Sequence, residues 1–344
     1  MSVGTQERKS LAGLSAAFQS LGRRLNVVPY LFILPALVIY GLFNLGPVLG
    51  SMVLSFFKWE LLSPTSEFVG LKHYSYILRD KLFWNALSHN IIFLSLAVIV
   101  PVGIGLFLAV FMAEIAKGRT VYRSLLFLPA IFSGVVIAYV WKWIYHPFSG
   151  ILNQILDVVG LDFLALSWLG NPRVALYSTF AAYAWASYGY SMVIFLAGLQ
   201  GIDREIYDAA IVDGVNFLQK MFLITVPLLR DVFTFVITLR ILTAMGVFSV
   251  IFILTGGGPY YATDVIGVYI YRMIGNYEMG WGSAAATINA IIIVTMSALF
   301  MRLREREHRR EGTQKAEIVD LLSVIDRREY HHRISGSVDP GDVV

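Results

Sequence analysis

The stretch EIYDAAIVDGVNFLQKMFLITVP, residues 205–227, decides how the rest of the chain is interpreted. Apolar residues recur at helical spacing before and after a central Asp213-Gly214 pair, and Pro227 ends the stretch. The sequence therefore predicts two short helices joined by a turn at glycine, a residue that adopts the backbone of tight turns without steric cost. Long apolar runs lie on both sides, so we expect this helix pair to project from a membrane as a docking element for a soluble partner.

The composition places the chain in a membrane. Of its 344 residues, 57% are hydrophobic and 15% are charged, whereas soluble domains have roughly 45–50% apolar and about 25% charged residues. The chain has no cysteine, which excludes disulfides, thiolate metal sites and a cysteine nucleophile. The net charge of +4 is modest, and the basic residues lie beside apolar runs. They therefore indicate membrane topology rather than a nucleic-acid surface.

Six apolar runs approach or exceed the length of about 20 residues that a helix needs to cross a bilayer. They cover residues 29–57, 88–113, 124–145, 174–199, 232–254 and 283–301. We predict an all-α integral membrane protein with an N-terminal segment 1–28, a six-span domain 29–302 and a charged tail 303–344. Within the six-span domain, the polar loop covers about 203–230. The sequence also predicts one short helix in an outer loop at 146–173 and a helical pattern near 316–330 in the tail.

The basic residues also predict the orientation of the chain. Most of the 27 lysines and arginines lie before the first run, after the second run, in the 205–230 loop and in the tail. Six spans place all of these segments on one side of the membrane. Because lysine and arginine concentrate on the cytoplasmic side, we expect both termini and the 205–227 stretch in the cytoplasm.

The remaining motifs carry no catalytic or metal chemistry. The run TGGGP at residues 255–259 must end the fifth span, and it lacks the Lys-Ser/Thr of a phosphate-binding loop. His331 and His332 have no third ligand at a useful spacing, so no metal site is predicted. No paired acids or zinc-type motif suggests a membrane-embedded enzyme. We therefore predict no catalytic residue in this chain.

The central stretch resembles the EAA loop of binding-protein-dependent ABC importer permeases. The match consists of DAA at 208–210, Asp213-Gly214, and then Ile224 and Pro227; Asp208 replaces the usual glutamate and Val215 the usual alanine. The segments FVGL (68–71), LP (128–129), AGLQ (197–200) and LTGGGP (254–259) extend the resemblance over about residues 28–302. Together they resemble the first permease subunit of carbohydrate importers of the maltose and glycerol-phosphate type.

This resemblance implies a type I ABC importer permease in a bacterial cytoplasmic (inner) membrane. Its implied partners are a second permease subunit in a heterodimer, two copies of a cytoplasmic ABC ATPase, an extracytoplasmic solute-binding protein and a carbohydrate substrate. ATP and Mg would bind to the ATPase, and this chain would hold no cofactor. A cytoplasmic coupling helix would sit in a groove of the ATPase, and Asp213 is expected to cap the following turn. The residues implied at this contact are Glu205, Tyr207, Asp208, Ala209, Ala210, Asp213, Gly214, Phe217 and Pro227.

Arg240 lies about ten residues inside the fifth run, where a charge costs at least roughly 2.5–3.5 kcal/mol. Two interpretations stay open: a tie between helices, or a bidentate donor to sugar hydroxyls or to an anionic substituent. The resemblance places the sugar between the spans on either side of the coupling loop. The candidate substrate-binding residues are Tyr183, Trp185, Ser187, Tyr188 and Tyr190 in the fourth run, Arg240, Thr243, Ala244 and Val247 in the fifth, and Asn289 in the sixth.

The alternative is a stand-alone secondary carrier or channel for a small polar solute. Such carriers more often contain internal repeats, paired broken helices and intramembrane carboxylates for ion coupling. The sequence contains no convincing repeat, and no Asp or Glu lies well inside an apolar run. These features favour the permease interpretation.

Overall fold

The computed structural model describes residues 27–59, 65–114 and 118–305. The predictions for the N-terminal segment before residue 27 and for the tail beyond residue 305 lie outside these ranges. They include the helical pattern near 316–330 and the His331-His332 pair.

The first part of the chain contains one long helix, a hairpin and the first half of the bundle. Helix α1 consists of Val27–Tyr40, a π-helical turn at Gly41–Leu45, and Gly46–Leu54. Strands β1 (Phe57–Trp59) and β2 (Ser66–Phe68) pair antiparallel, and α2 covers Lys72–Ile77. Then follow α3 (Lys81–Glu114), α4 (Arg119–Ile131), α5 (Gly134–Ile144), α6 (Ile151–Val158), a 3-10 turn (Asp162–Leu164) and α7 (Ala175–Leu199).

The second part contains the central stretch and the remaining spans. Helix α8 covers Arg204–Val212, and α9 covers Phe217–Leu228 with a π-helical middle at Lys220–Thr225. They are followed by α10 (Arg230–Met245), α11 (Ser249–Thr255), α12 (Ile266–Gly275) and α13 (Met279–Glu305). Helix α12 lies in the segment 260–282, which the sequence showed only as aromatic and polar. The predicted short helix in the outer loop is α6.

Four described helices, α1, α3, α7 and α13, are long and apolar enough to cross a membrane. Two bent pairs, α4–α5 at 94° and α9–α10 at 77°, raise the number to six if each pair is counted as one span. The predicted run 124–145 is therefore not one straight helix. It breaks at Phe132, whose ψ of 143° is extended, and Ser133 starts α5 by accepting a hydrogen bond from the Val136 amide at 3.4 Å.

The predicted run 232–254 is also interrupted. Helix α10 ends at Met245, and α11 begins only at Ser249. Between them, Phe248 has φ −142°, a value outside the helical region. The run is apolar on both sides of the break, so hydropathy alone could not locate it.

Helices α3 and α7 form the centre of the bundle. A Cβ atom added to Gly105 would lie 2.5 Å from the Cβ of Ser191, so the two backbones approach more closely than any other residue at 105 allows. Small residues at such contacts are typical of helix packing in membranes. Nearer the N-terminal end of α3, the ring of Phe93 packs edge-on against Tyr183 with centroids 5.0 Å apart. These contacts hold α7 against α3, and the candidate substrate residues of α7 lie on the same helix.

Candidate functional site

The central stretch folds as the predicted pair of helices with a glycine turn. Gly214 has φ +73°, and its N–H donates to the carbonyl of Ile211 at 3.1 Å. The next amide, from Val215, donates to the carbonyl of Ala210 at 3.0 Å. This pair of bonds is a Schellman motif, which ends a helix with a residue in the left-handed conformation. The turn between α8 and α9 is therefore sharp and hydrogen-bonded.

The cap of the second helix is Asn216, and the expectation that Asp213 would cap it is wrong. The Asn216 side chain accepts a hydrogen bond from the Gln219 amide at 2.9 Å, and the Gln219 side chain accepts one from the Asn216 amide at 3.0 Å. This is a reciprocal capping box. Asp213 instead occupies the C-cap of α8, two residues before Val215. The glycine turn moves the start of α9 further along the chain than the Asp-Gly pair suggested.

One contact holds this helix pair together, and two attach it to the bundle. The Tyr207 hydroxyl of α8 and the Thr225 hydroxyl of α9 lie 3.2 Å apart. Lys220 forms an ion pair with Glu114, at the cytoplasmic end of α3 in the predicted orientation. The ring of Phe217 packs edge-on against Phe107 of α3, with centroids 6.3 Å apart. Helix α8 is thus fixed to α9, and α9 to α3.

The free face of α8 is partly apolar. Ile211 and Val212 are 65% and 86% exposed at its C-terminal end. These two residues were not among the predicted coupling residues. The predicted coupling residues that are exposed are Glu205, Asp208, Ala209, Asp213, Gly214 and Pro227. Ala210, by contrast, is only 5% exposed, so it packs against its own chain. The surface that a partner could touch is therefore formed by Asp208, Ala209, Ile211 and Val212 rather than by both alanines.

Arg240 links α10 to α7 in the buried part of the bundle. Its side chain is 6% exposed, and its Nη2 atom donates to the Ser187 carbonyl and to the Ser191 hydroxyl, both at 2.9 Å. Its Nε atom is buried and makes no hydrogen bond within the described residues. One turn further on, the hydroxyls of Thr243 and Tyr183 lie 3.1 Å apart. The structure therefore brings together four candidate substrate residues, Tyr183, Ser187, Arg240 and Thr243, at one helix interface.

The other candidate substrate residues lie elsewhere. Trp185 packs edge-on against Trp141 of α5, with centroids 6.0 Å apart, and the Tyr190 hydroxyl donates to the Ala130 carbonyl of α4 at 3.0 Å. Ala244 and Val247 are buried at the end of α10 and in the break, and Tyr188 is half-buried on α7. Asn289 lies on α13, with a buried Oδ1 atom that has no hydrogen-bond partner in the described part of the chain.

Sequence reasoning missed a group of polar residues that hold the loop 256–265, called the outer loop after the predicted orientation. Asp264 is fully buried, and its Oδ1 atom accepts a hydrogen bond from Arg272 Nη2 at 2.7 Å. The Arg272 guanidinium also lies over the ring of Tyr261, 4.7 Å from its centroid. Burial raises the pKa of the Asp264 carboxyl, and the hydrogen bond and charge of Arg272 oppose that rise. Their spacing of eight residues, across a loop and into α12, gave no local sequence signal.

Comparison with known proteins identifies the family. Residues 102–311 match the family described as "Binding-protein-dependent transport system inner membrane component". This chain belongs to that family.

Named relatives agree with the family match along most of the chain. A probable ABC transporter permease protein of Bacillus subtilis, YurN, is 36% identical over 280 residues, covering 80% of this chain and 96% of the relative. The trehalose/maltose transport system permease protein MalF of Thermococcus litoralis is 30% identical over 274 residues, covering 80% and 92%. A chain in a solved bacterial alginate ABC transporter, in complex with an alginate pentasaccharide-bound periplasmic protein, has a TM-score of 0.73 at 22% identity, covering 83% and 96%.

These findings confirm the predicted family and the predicted fold class. The chain is an ABC transporter permease, an inner membrane component of a binding-protein-dependent transport system. The solved alginate transporter chain shares its fold.

Proposed function

We propose that this chain is the permease subunit of an ATP-driven importer for a sugar or sugar derivative. It forms half of the translocation pathway, and a second permease subunit forms the other half. Two copies of a cytoplasmic ABC ATPase hold ATP and Mg, and an extracytoplasmic solute-binding protein delivers the substrate. The relatives named for trehalose/maltose transport and for alginate support a carbohydrate substrate. The single observation that carries the proposal is an anchored α8 whose apolar end is exposed.

Helix α8 is the contact with the ATPase. An exposed apolar end such as Ile211 and Val212 is a typical partner-binding surface when it is held on a fixed element. Tyr207, Ala210 and Phe217 face their own chain and hold α8 in place. The exposed residues of α8 then transmit movement of the ATPase to α9 and α10. The positive-inside rule supports this assignment, because it places α8 and both termini in the cytoplasm.

The sugar passes along the interface of α7 and α10. Tyr183 and Thr243 offer hydroxyl groups there, and the buried Nε donor of Arg240 has no hydrogen-bond partner among the described residues. Hydroxyl and guanidinium donors fit the oxygen atoms of a carbohydrate. Arg240 also ties α10 to α7. In this proposal the same side chain both links the two helices and contacts the sugar. Trp185, Ser187, Tyr188, Tyr190, Ala244, Val247 and Asn289 complete the proposed substrate-binding set.

The coupling assignment is tested by two matched cysteines in a chain that has none of its own. Val212 and Val158 are 86% and 88% exposed, at the ends of α8 and α6. In the complex purified from its native membrane, Val212→Cys should cross-link to a protein with a nucleotide-binding motif, and Val158→Cys should not. Equal cross-linking at both positions, or a chain that purifies without an ATPase, would contradict the coupling role.

Sugar uptake is measured on the same complex in proteoliposomes with its binding protein, and absence of uptake for neutral and anionic oligosaccharides would contradict the substrate class.

A further inference from the structure

The chain around the break between α10 and α11 has backbone groups that its own helices do not fully satisfy, although the Ala244 carbonyl accepts from the Val247 amide at 3.3 Å. The last residues of α10 include the carbonyl groups of Ala244 and Met245, and α12 begins with the N–H of Ile266. Inside a membrane, an unsatisfied backbone group costs several kcal/mol, so non-helical backbone needs a protein partner. A side chain of a neighbouring helix that supplies donors and an acceptor at this level would complete the hydrogen bonding of these groups.

Asn90 of α3 supplies all of them. Its side chain is 0% exposed, and its Nδ2 atom donates to the carbonyls of Ala244 at 3.3 Å and Met245 at 3.2 Å. Its Oδ1 atom accepts a hydrogen bond from the Ile266 amide at 2.7 Å. Among the buried residues of α3, Asn90 is the one polar side chain. A neutral amide is the suitable group, since it carries both donors and an acceptor on one short side chain.

The same helix holds the chain that follows the break. The Asn85 side chain donates to the Tyr261 carbonyl at 2.9 Å, and His89 Nδ1 lies 2.8 Å from the Asp264 carbonyl oxygen. Asn85, His89 and Asn90 thus lie on about one and a half turns of α3, and all three contact the backbone of the interrupted fifth span and its outer loop. Helix α3 therefore holds the backbone of the interrupted fifth span and of the loop after it.

We propose that Asn90 is a positioning residue for transport: it fixes the end of α10 and thereby the placement of Thr243 and Val247 at the translocation pathway. The inference rests on the proposed function, because it assumes that the substrate passes along α7 and α10. The Asn90 side chain contacts the end of α10 and the start of α12, so it acts on the substrate only through the position of α10. Asn85 makes a similar bond, but to the outer loop, and serves as the matched control.

The test compares Asn90→Ala and Asn90→Asp with Asn85→Ala in the complete importer in proteoliposomes. Loss of two or three net hydrogen bonds at the break should raise the half-saturating sugar concentration for uptake about tenfold or more for Asn90→Ala, and less than about twofold for Asn85→Ala. Asn90→Asp keeps the acceptor for Ile266 but sets a carboxylate against two carbonyls. Because protonation restores a donor, its uptake should recover as the pH is lowered, whereas that of Asn90→Ala should not.

An unchanged half-saturating concentration in both Asn90 variants, with only a lower thermal stability, would overturn the inference. So would a failure of both variants to assemble when Asn85→Ala assembles, since Asn90 would then serve folding alone. Failure of the proposed function itself is a separate result, because the unmodified complex would then import no sugar.

Discussion

The two ends of α3 hold their neighbouring loops in different ways. At the outer end, Asn85 and His89 bind backbone groups of the loop 256–265, and the fully buried Asp264 is paired with Arg272. At the other end, Glu114 pairs with Lys220 at the surface, where the two side chains are 45% and 19% exposed. Beyond that pair, α8 ends in the almost fully exposed Val212.

The outer loop is held by contacts on several sides, whereas the α8–α9 pair has one face without contacts in the described chain. The outer loop is bonded to α3 and to Arg272 within the described chain, although Asp264 Oδ2 and Arg272 Nη1 have no hydrogen-bond partner there. The α8–α9 pair is anchored at one side only, by buried residues such as Ala210 and Thr225 and by the partly exposed Lys220–Glu114 ion pair, which contributes little by itself. Its open face gains burial when a partner covers it. Substitutions in the outer loop should therefore act on stability, and substitutions in the inner loop should act on coupling.

The largest effect is expected when the outer pair is broken. Arg272→Ala leaves Asp264 buried and without its cation, which should lower the free energy of unfolding by about 3 kcal/mol. Thermal and urea denaturation of the purified complex measure this change. Arg173→Ala, at an exposed arginine of another outer loop, is the control and should change little. Equal losses for the two variants would remove the distinction between the buried pair and an ordinary surface charge.

Two glycines with left-handed backbone, Gly214 of the α8–α9 turn and Gly160 after α6, give an effect of intermediate size. Gly214 and Gly160 have φ values of +73° and +79°, and a Cβ at either would meet no atom within 4 Å. Substitution by alanine should therefore cost a similar 1–2 kcal/mol, roughly, of left-handed strain in each. Only Gly214→Ala should lower sugar-stimulated ATP hydrolysis, because it distorts the turn between α8 and α9. If Gly160→Ala lowered hydrolysis as much, the coupling role of the turn would be wrong.

The smallest effect concerns pH at the outer end. His73 is 3% exposed, with Nδ1 3.1 Å from the Ser55 carbonyl, and burial lowers its pKa from the usual 6.5. The unfolded chain then takes up the proton first, so stability should fall as the pH drops below 6.5. Thermal midpoints of the purified complex between about pH 5 and pH 8 measure the change.

His73→Asn keeps a donor near the Ser55 carbonyl and should remove this part of the pH dependence. The exposed His146 supplies the control, since His146→Asn should leave the slope as it is in the unmodified chain. Equal slopes for the unmodified chain and His73→Asn would show that other groups set the acid limit.

The features that the sequence predicted correctly are those whose signal lies within a few neighbouring residues. The α8–α9 pair follows from helical spacing and from Gly214, and both act within a few residues. The break after Met245 was not predictable, because the groups that stabilise it come from Asn90, 155 residues away in the chain. Contacts with helices distant in the sequence also decide which neighbour each residue of α7 meets, so the predicted substrate residues of α7 were only partly brought together. Tyr183 does meet Thr243 of α10, but Trp185 and Tyr190 meet α5 and α4.

Helix α1 differs from α3, α7 and α13 in how little of its apolar window is buried in the described chain, and this difference bears on its insertion into the bilayer during synthesis. Its apolar window has a mean hydropathy of 1.9, and 0% of that window is buried in the described chain. The window of α7 has a mean hydropathy of only 1.2 and is 50% buried, largely by α3. Helix α1 can therefore leave the translocon as a lone anchor, whereas α7 gains its place by joining a helix already in the lipid. The chain order, with α1 and α3 before α7, matches this sequence of insertion steps.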